Sequence, residues 1–278
     1  MNKGIPTVSV IIPTYRRPAE LERALRSVLD QNFSDIEVIV VDDNPPDSAE
    51  RRRTEELLGR TSGPLRHLKN DTPLGGAGAR NVGIQAAGGQ FIAFLDDDDQ
   101  WLPGKLQKQM DLFAGLAEDV CSVDTGFYEI DQRRGTTRTV MPALRGEIFD
   151  ALLVKHKGRA PKLSSMVCRA AALRRVGGFD EQLPSRQDLD LYLRLARHYR
   201  FEYIAEPLMN KYIHNAGRIS AVSDNKIRGF EMLYRKYRDD LAARPALHRR
   251  YLRRHAFWLA KAWKLLRAAG KYLRSLLC

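Results

Sequence analysis

The sequence predicts an α/β protein built on a mostly parallel sheet. Through the first 120 residues, apolar runs of strand length alternate strictly with polar segments of helical character, the pattern of successive βαβ units. The run FIAFL at residues 91–95 places five apolar residues in succession, as a strand buried on both faces requires. Polar residues follow the main strand runs, where an open sheet of this kind receives its ligands.

The first strand is VSVIIP, residues 8–13. A helix is expected over residues 17–31, where Leu21, Leu25 and Val28 recur at helical spacing. EVIVVDD at residues 37–43 reads as the second strand, and a looser helix follows around residues 49–58. A short strand near residues 65–68, a glycine-rich turn and a helix over residues 80–87 lead into FIAFL. Residues 1–120 are thus expected to form a Rossmann-like half.

The chain has 278 residues, 44% of them apolar, enough to bury the core of one large domain or of one domain with an appendage. Cys121, Cys168 and Cys278 are odd in number and lack metal-ligand or redox spacing, which argues against a disulfide scaffold and fits a reducing cytosol. The apolar run before Pro13 is too short for a signal peptide, and no later stretch approaches a transmembrane span. The expectation is a protein neither exported nor membrane-spanning. The formal charge of +12 is local: residues 226–278 hold 15 Lys and Arg against Glu231, Asp239 and Asp240, while the first 225 residues balance to zero. An electrostatic partner is therefore sought at the tail.

In that tail Leu252, Leu259, Leu266 and Leu273 recur every seven residues, with Trp258, Ala262, Trp263 and Ala269 in the same stripe. Arg250, Arg254, Lys261, Lys264, Lys271 and Arg274 populate the other side. A basic amphipathic helix over residues 247–277 suits an anionic membrane surface. The alternative is a helix packed on the α/β domain or on a second subunit. A nucleic-acid anchor is a third use of such charge, but neither an aromatic RNA-binding motif nor a helix-turn-helix signature supports it.

Residues 96–99 are four consecutive aspartates at the end of FIAFL. Adjacent carboxylates stay ionised only where water, basic side chains or a divalent cation neutralise them, and an oxygen-only cluster suits Mg²⁺ or Mn²⁺. A solvated acidic turn is the plain alternative. The first strand is followed by Pro13, Thr14, Tyr15, Arg16 and Arg17, and the second by Asp42, Asp43 and Asn44. An aromatic face with a carboxylate acceptor meets the needs of a pyrimidine base, although either Asp also fits a cap or turn before Pro45 and Pro46. GGAGARN at residues 75–81 opens a helix, where glycines let amides approach an anion and Arg80 adds a charge-assisted fork. Neither a Walker sequence nor the dinucleotide spacing is present, so ATPase and dehydrogenase readings lose ground.

Taken in order, VSVIIPTYRRP, EVIVVDDN, GGAGARNVGI, FIAFLDDDDQWLP and VGGFDE followed by QDLDLYLRLA resemble the family 2 glycosyltransferases over residues 7–220. The resemblance implies the GT-A fold, with residues 1–120 binding the nucleotide sugar, 121–225 the acceptor half, and 226–278 a basic helical tail. It places Pro13, Thr14, Tyr15, Arg17, Asp43, Arg80, Asp96 and Asp97 at the nucleotide. Asp96 and Asp98 become the DxD pair, holding Mn²⁺ or Mg²⁺ with His214, though Asp97 and Asp99 also make a DxD.

The family's general base falls on Asp188, which implies inversion at the anomeric carbon; Gln187 stands where relatives carry an acid, and Asp190 is left as a helix N-terminal charge. Trp101 and Gln187 are the candidate acceptor contacts, Trp101 as a stacking face or as packing. The implied reaction moves a hexosyl or N-acetylhexosaminyl group from a UDP-sugar to a glycan or lipid-linked saccharide, in cell-surface polysaccharide or lipopolysaccharide synthesis. The resemblance and the tail together place the protein on the cytoplasmic face of the membrane, with an oligomer open. A nucleotide-sugar-binding module without turnover is the competing expectation.

Overall fold

A computed structural model of the chain describes residues 6–154, 160–213, 224–261 and 271–275. β1 (Val8–Thr14), α1 (Pro18–Leu29), β2 (Ile36–Asp42), α2 (Ala49–Gly59), β3 (Leu65–Lys69), α3 (Gly75–Ala86) and β4 (Phe91–Phe94) follow one another in the expected alternation. After them come β5 (Asp99–Trp101), α4 (Lys105–Ala114), β6 (Val120–Asp131), β7 (Thr136–Val140), α5 (Phe149–Val154), β8 (Val167–Arg169), α6 (Ala170–Arg175), α7 (Gln187–Ala196) and β9 (Arg200–Tyr212). The tail holds α8 (Asp224–Lys236), α9 (Arg238–Ala242) and α10 (Pro245–Lys261).

One sheet runs through both halves in the order β3-β2-β1-β4-β8-β6-β9-β5, with β7 alongside β6. β1 is parallel to β2 and β4, and β2 to β3. β8 then enters antiparallel between β4 and β6, and β5 pairs antiparallel with β9. The chain winds outward from β1 to β3 and returns to the other side of β1 as β4. That reversal opens a crevice beyond the C-terminal ends of β1 and β4.

The central strands are apolar throughout because both their faces are buried. Val8, Val10 and Ile12 of β1 pack with Val38 and Val40 of β2 and with Leu21, Leu25 and Val28 of α1. Ile11, Ile39 and Val41 face the other way, toward Ala79 and Ile84 of α3 and Phe94 of β4. A helix begins cleanly at Pro18 because proline's fixed φ suits the first helical position and its missing N–H costs nothing there.

Two expectations are corrected. α3 begins at Gly75 rather than near Arg80. Glycines are poor helix formers, but the Asp43 carboxylate accepts from the amides of Leu74 (2.7 Å) and Gly75 (2.8 Å) and so caps this end. The apolar stripe of the tail, expected to face a membrane, is taken up by the protein itself at its α10 leucines. Leu252 and Leu259 are fully buried in the protein itself, Leu259 against Ile227 of α8. Lys271 lies 4.4 Å over the ring of Tyr234, which shares a hydrogen bond with His248. Ala262, Trp263, Lys264, Leu266 and Ala269 lie outside the described residues.

α3 crosses β1 at Gly83, where an added Cβ would stand 2.5 Å from Ile11 Cγ2. Gly83→Ala is expected to cost about 1–3 kcal/mol through overpacking. Thermal denaturation should show the midpoint several degrees lower, and an unchanged midpoint would show that α3 does not press on β1.

Candidate active site

β4 stops at Phe94, and the chain then turns, the Asp99 amide donating to the Asp96 carbonyl at 3.0 Å. The turn distributes the four carboxylates. Asp97 reaches back to β1, accepting from the Thr14 hydroxyl (3.0 Å), the Tyr15 amide (3.3 Å) and Arg17 (3.1 Å). Asp98 accepts from the same Arg17 nitrogen at 2.7 Å, and Asp96 accepts from Arg80 at 2.5 Å. Asp99, 3% exposed, lies opposite Lys211 in the β5 and β9 ladder.

Burial pushes Asp97 up to about 7; Asp98 and Asp96 add repulsion, and Arg17 and Thr14 only partly offset them. Asp99 is also pushed up to about 7, by burial and by Asp96 and Asp98, against the pull of Lys211. Asp96 moves the other way: burial disfavours its charge, but the Arg80 guanidinium beside it holds the carboxyl below the usual range. Arg17, Arg80 and Lys211 are each opposed by burial and nevertheless raised by these carboxylates. An oxygen from each of Asp96, Asp98 and Asp99 lies within 4.8 Å of the others. This all-oxygen set, two of whose neighbours or members resist ionisation without further positive charge, fits Mg²⁺ or Mn²⁺. Asp96 and Asp98 are together as the sequence suggested, Asp99 joins them, and Asp97 faces β1 instead.

A cleft of about 620 Å³ brings together Pro13, Thr14, Tyr15, Arg17, Asp43, Arg80, Asp96, Asp97 and Asp98. Asp43 is 3% exposed and also accepts from Asn70 at 2.8 Å, so three bonds already occupy its oxygens. The amides of Leu74 and Gly75 are therefore spoken for by Asp43, which corrects the expectation that this glycine-rich start offers its first amides to an anion. Gly76 serves a different need: Arg80 folds back to donate to its carbonyl at 2.9 Å, and a Cβ there would stand 2.9 Å from the guanidinium. Asp42 is a structural residue, its carboxylate accepting from the Asn44 amide at 3.0 Å and pairing with Arg51 at 3.3 Å.

Asp188 is exposed on the first turn of α7, its carboxylate accepting from the Leu189 amide at 2.8 Å. Its charge helps hold the protons of both Arg80 and Lys211, which puts it within electrostatic reach of the acidic turn. Gln187 beside it donates to the Leu183 carbonyl at 2.8 Å. Asp190 is fully buried and paired with Arg194 and Lys236, each at 2.8 Å, rather than serving as a loose helix-end charge. Trp101 corrects the sugar-stacking expectation. It is 2% exposed, its indole N–H donates to the Ser164 carbonyl at 2.6 Å, and Lys105 lies 4.0 Å over its ring. His214 lies outside the described residues.

Sequence reasoning missed Lys211 and Ser164. Ser164 is 3% exposed, and its hydroxyl accepts from the Asp96 amide at 3.2 Å. Neither has a local signature, because each meets the acidic turn only through strand pairing and chain return. Tyr192 lies one helical turn beyond Asp188, and its buried hydroxyl has no hydrogen-bond partner among the described residues.

Residues 9–181 match the family model for glycosyl transferase family 2. An uncharacterized glycosyltransferase of Rickettsia felis is 26% identical over 235 residues, 81% of this chain and 37% of its own length. This chain thus spans little more than a third of that relative. The GalNAc(5)-diNAcBac-PP-undecaprenol beta-1,3-glucosyltransferase of Campylobacter jejuni is 37% identical over 107 residues, 38% of this chain and 34% of its own. Staphylococcus aureus TarS 1–349, solved in complex with UDP-GlcNAc, superposes with a TM-score of 0.70 at 20% identity, covering 97% of this chain and 79% of its own. The Pyrobaculum calidifontis mannosyltransferase PcManGT, in complex with GDP-Man and Mn²⁺, gives 0.61 at 20% identity, covering 99% and 76%. With the motifs in order, the fold matched across nearly the whole chain and the family model spanning the cleft and its acidic turn, this chain belongs to glycosyl transferase family 2 and has the GT-A fold.

Proposed function

We propose that the protein is an inverting glycosyltransferase that moves a sugar from a UDP-linked donor to a hydroxyl of a glycan or lipid-linked acceptor, in the assembly of cell-surface polysaccharide or lipopolysaccharide. The observation that carries this reading is the single cleft in which Tyr15, Asp43 and Arg80 share walls with Asp96 and Asp98. TarS binding UDP-GlcNAc and the Campylobacter relative's PP-undecaprenol acceptor support the donor and acceptor classes.

In this reading Tyr15 offers its ring to the base, and the remaining lone pair of Asp43 accepts from the base N–H. Arg80 and Arg17 face the diphosphate, where their fixed charges stabilise the negative charge that develops as the bond to the anomeric carbon breaks. Asp96, Asp98 and Asp99 would hold Mn²⁺ or Mg²⁺, which supplies Lewis acidity to the leaving diphosphate. Asp188 takes the proton of the acceptor hydroxyl, whose oxygen bonds to the anomeric carbon from the face opposite the departing UDP. The configuration inverts, and the products are the glycoside and UDP.

The tail supports a narrower membrane reading than the sequence suggested. Its buried leucines are used inside the protein, leaving exposed Arg250 and Arg253 with Phe257, Tyr272 and Leu273 to meet an anionic lipid surface on the cytoplasmic side. Sedimentation with phosphatidylglycerol vesicles should be strong at low salt, weaken at high salt and fall when Arg250, Arg253 and Phe257 are changed to Gln, Gln and Ser; no sedimentation at low salt removes the membrane from the proposal.

Asp188→Asn should lower kcat by about 100-fold or more while UDP affinity in Mn²⁺, read by calorimetry, is retained. Unimpaired turnover would remove Asp188 from the role of base. Asp98→Asn should instead abolish the Mn²⁺ dependence of UDP binding.

The raised carboxyls give a pH dependence of defined sign. In the folded, metal-free protein Asp97 and Asp99 keep protons up to about pH 7 that the unfolded chain releases at lower pH. Their contribution to stability is thus greatest on the acid side and is lost as pH rises through about 7. Asp99→Asn should flatten the fall in melting midpoint between about pH 5 and 7.5, and Mn²⁺ should stabilise the parent most at the upper end. A parent and variant with the same pH slope would show that Asp99 ionises normally.

A further inference from the structure

Among the described residues, two non-glycine residues take the left-handed conformation, Arg16 (φ 60) and Arg186 (φ 66). A side-chain-bearing residue stays there only where its surroundings hold it. Arg186 immediately precedes α7 and stands two residues before Asp188. Its guanidinium carbon lies 3.4 Å from the ring centroid of Phe230 on α8. Phe230 is itself fixed from α10, stacked on His255 at 5.5 Å and accepting at its carbonyl from the Tyr251 hydroxyl at 2.9 Å.

The same helix grips the residue before. The Ser185 hydroxyl donates to the Asn225 carbonyl at 3.0 Å, and α8 runs so near that a Cβ on Gly229 would overlap the Ser185 side chain. On the far side of Asp188, the buried Asp190 accepts from the Tyr237 hydroxyl at 2.9 Å and pairs with Lys236 at 2.8 Å. Asp188 bonds to the amide of its own neighbour, Leu189, so its place follows the start of the helix.

We propose that the C-terminal helices position Asp188: Phe230 holds Arg186 in the left-handed turn that begins α7, and this turn sets where the carboxylate stands. Arg186 and Phe230 are positioning residues, acting through the backbone of α7. Their catalytic consequence rests on Asp188 being the base; their structural consequence does not.

The test uses the full chain with Phe230→Leu, Arg186→Gly and, in parallel, Asp188→Asn. Glycine adopts the left-handed φ without strain, so Arg186→Gly keeps the backbone path while removing the grip. Hydrogen exchange read by mass spectrometry should rise about tenfold over residues 183–192 in both positioning variants, with residues 8–43 and UDP affinity in Mn²⁺ unchanged. Release of UDP from UDP-GlcNAc and UDP-glucose should fall about tenfold to a hundredfold in kcat, with KM for the donor retained, and Arg186→Lys, which keeps a cation over the ring, should recover much of the loss. Exchange over residues 183–192 that matches the parent, or that rises equally over residues 8–43, overturns the positioning role. Should Asp188→Asn keep its turnover, the base assignment fails alone, and the exchange result still decides whether the tail orders α7.

Discussion

Four carboxylates in succession cannot all be ionised in a half-buried turn without nearby positive charge, and the arrangement of this protein follows from that constraint. Arg17, Arg80 and Lys211 come from three separate elements to meet them. Those three cations still leave Asp97 and Asp99 near neutral pH in their titration. In the proposed function, a site one positive charge short would accept a divalent cation or a protonated carboxyl with equal electrostatic logic, and pH would choose between them. The same guanidiniums that restrain the acids line the cleft a diphosphate would enter, so the cluster and the anion would compete for Arg17 and Arg80. Metal uptake and donor uptake would then favour one another, because the cation frees the arginines from the acids as it replaces them.

The first half was legible because its signals are local. Alternate residues of β1 and β2 face opposite buried layers, and that condition writes itself into a continuous apolar run that any short window reveals. The ends of those strands then had to be where the polar residues collect, and all eight residues expected at the nucleotide line the one cleft. What could not be read locally were pairings across the chain. Lys211 reaches Asp99 only because β5 and β9 pair antiparallel, and Trp101 is buried because the 3-10 turn at Leu163–Ser165 returns over it. The tail leucines looked like a membrane face because a heptad stripe has the same spacing whether it meets lipid or the protein's own helices. Only the contact with Ile227 separates the two for Leu259.

Asp43 shows how a residue can carry a structural duty and still stand at the cleft. Its carboxylate caps α3 through two amides and holds Asn70, yet it still lines the cleft. A carboxylate accepts about four hydrogen bonds, and three are used. The cap fixes the oxygen that remains, so a base N–H would meet an acceptor already oriented by the helix it terminates. In the proposed function the structural duty would give the binding duty its geometry.

The cleft residues proposed to meet the donor hang from β1, β2, α3 and the acidic turn, whereas Asp188 stands on α7, far from them in sequence. Their relation is carried by contacts of long sequence separation: Asn81 of α3 exchanges hydrogen bonds with Phe179 (2.8 and 2.9 Å), Ser164 fastens the acidic turn, and Lys211 closes it from β9. Gly178 is required at the first of these joints, since it holds φ 66 and a Cβ would lie 2.5 Å from the Asn81 side chain. α7 is therefore tied to α3 through its N-terminal approach and to the tail through Arg186 and Asp190. Set between two such attachments, Asp188, the exposed carboxylate of the first turn, bonds to the Leu189 amide of its own helix and is placed by what holds that helix.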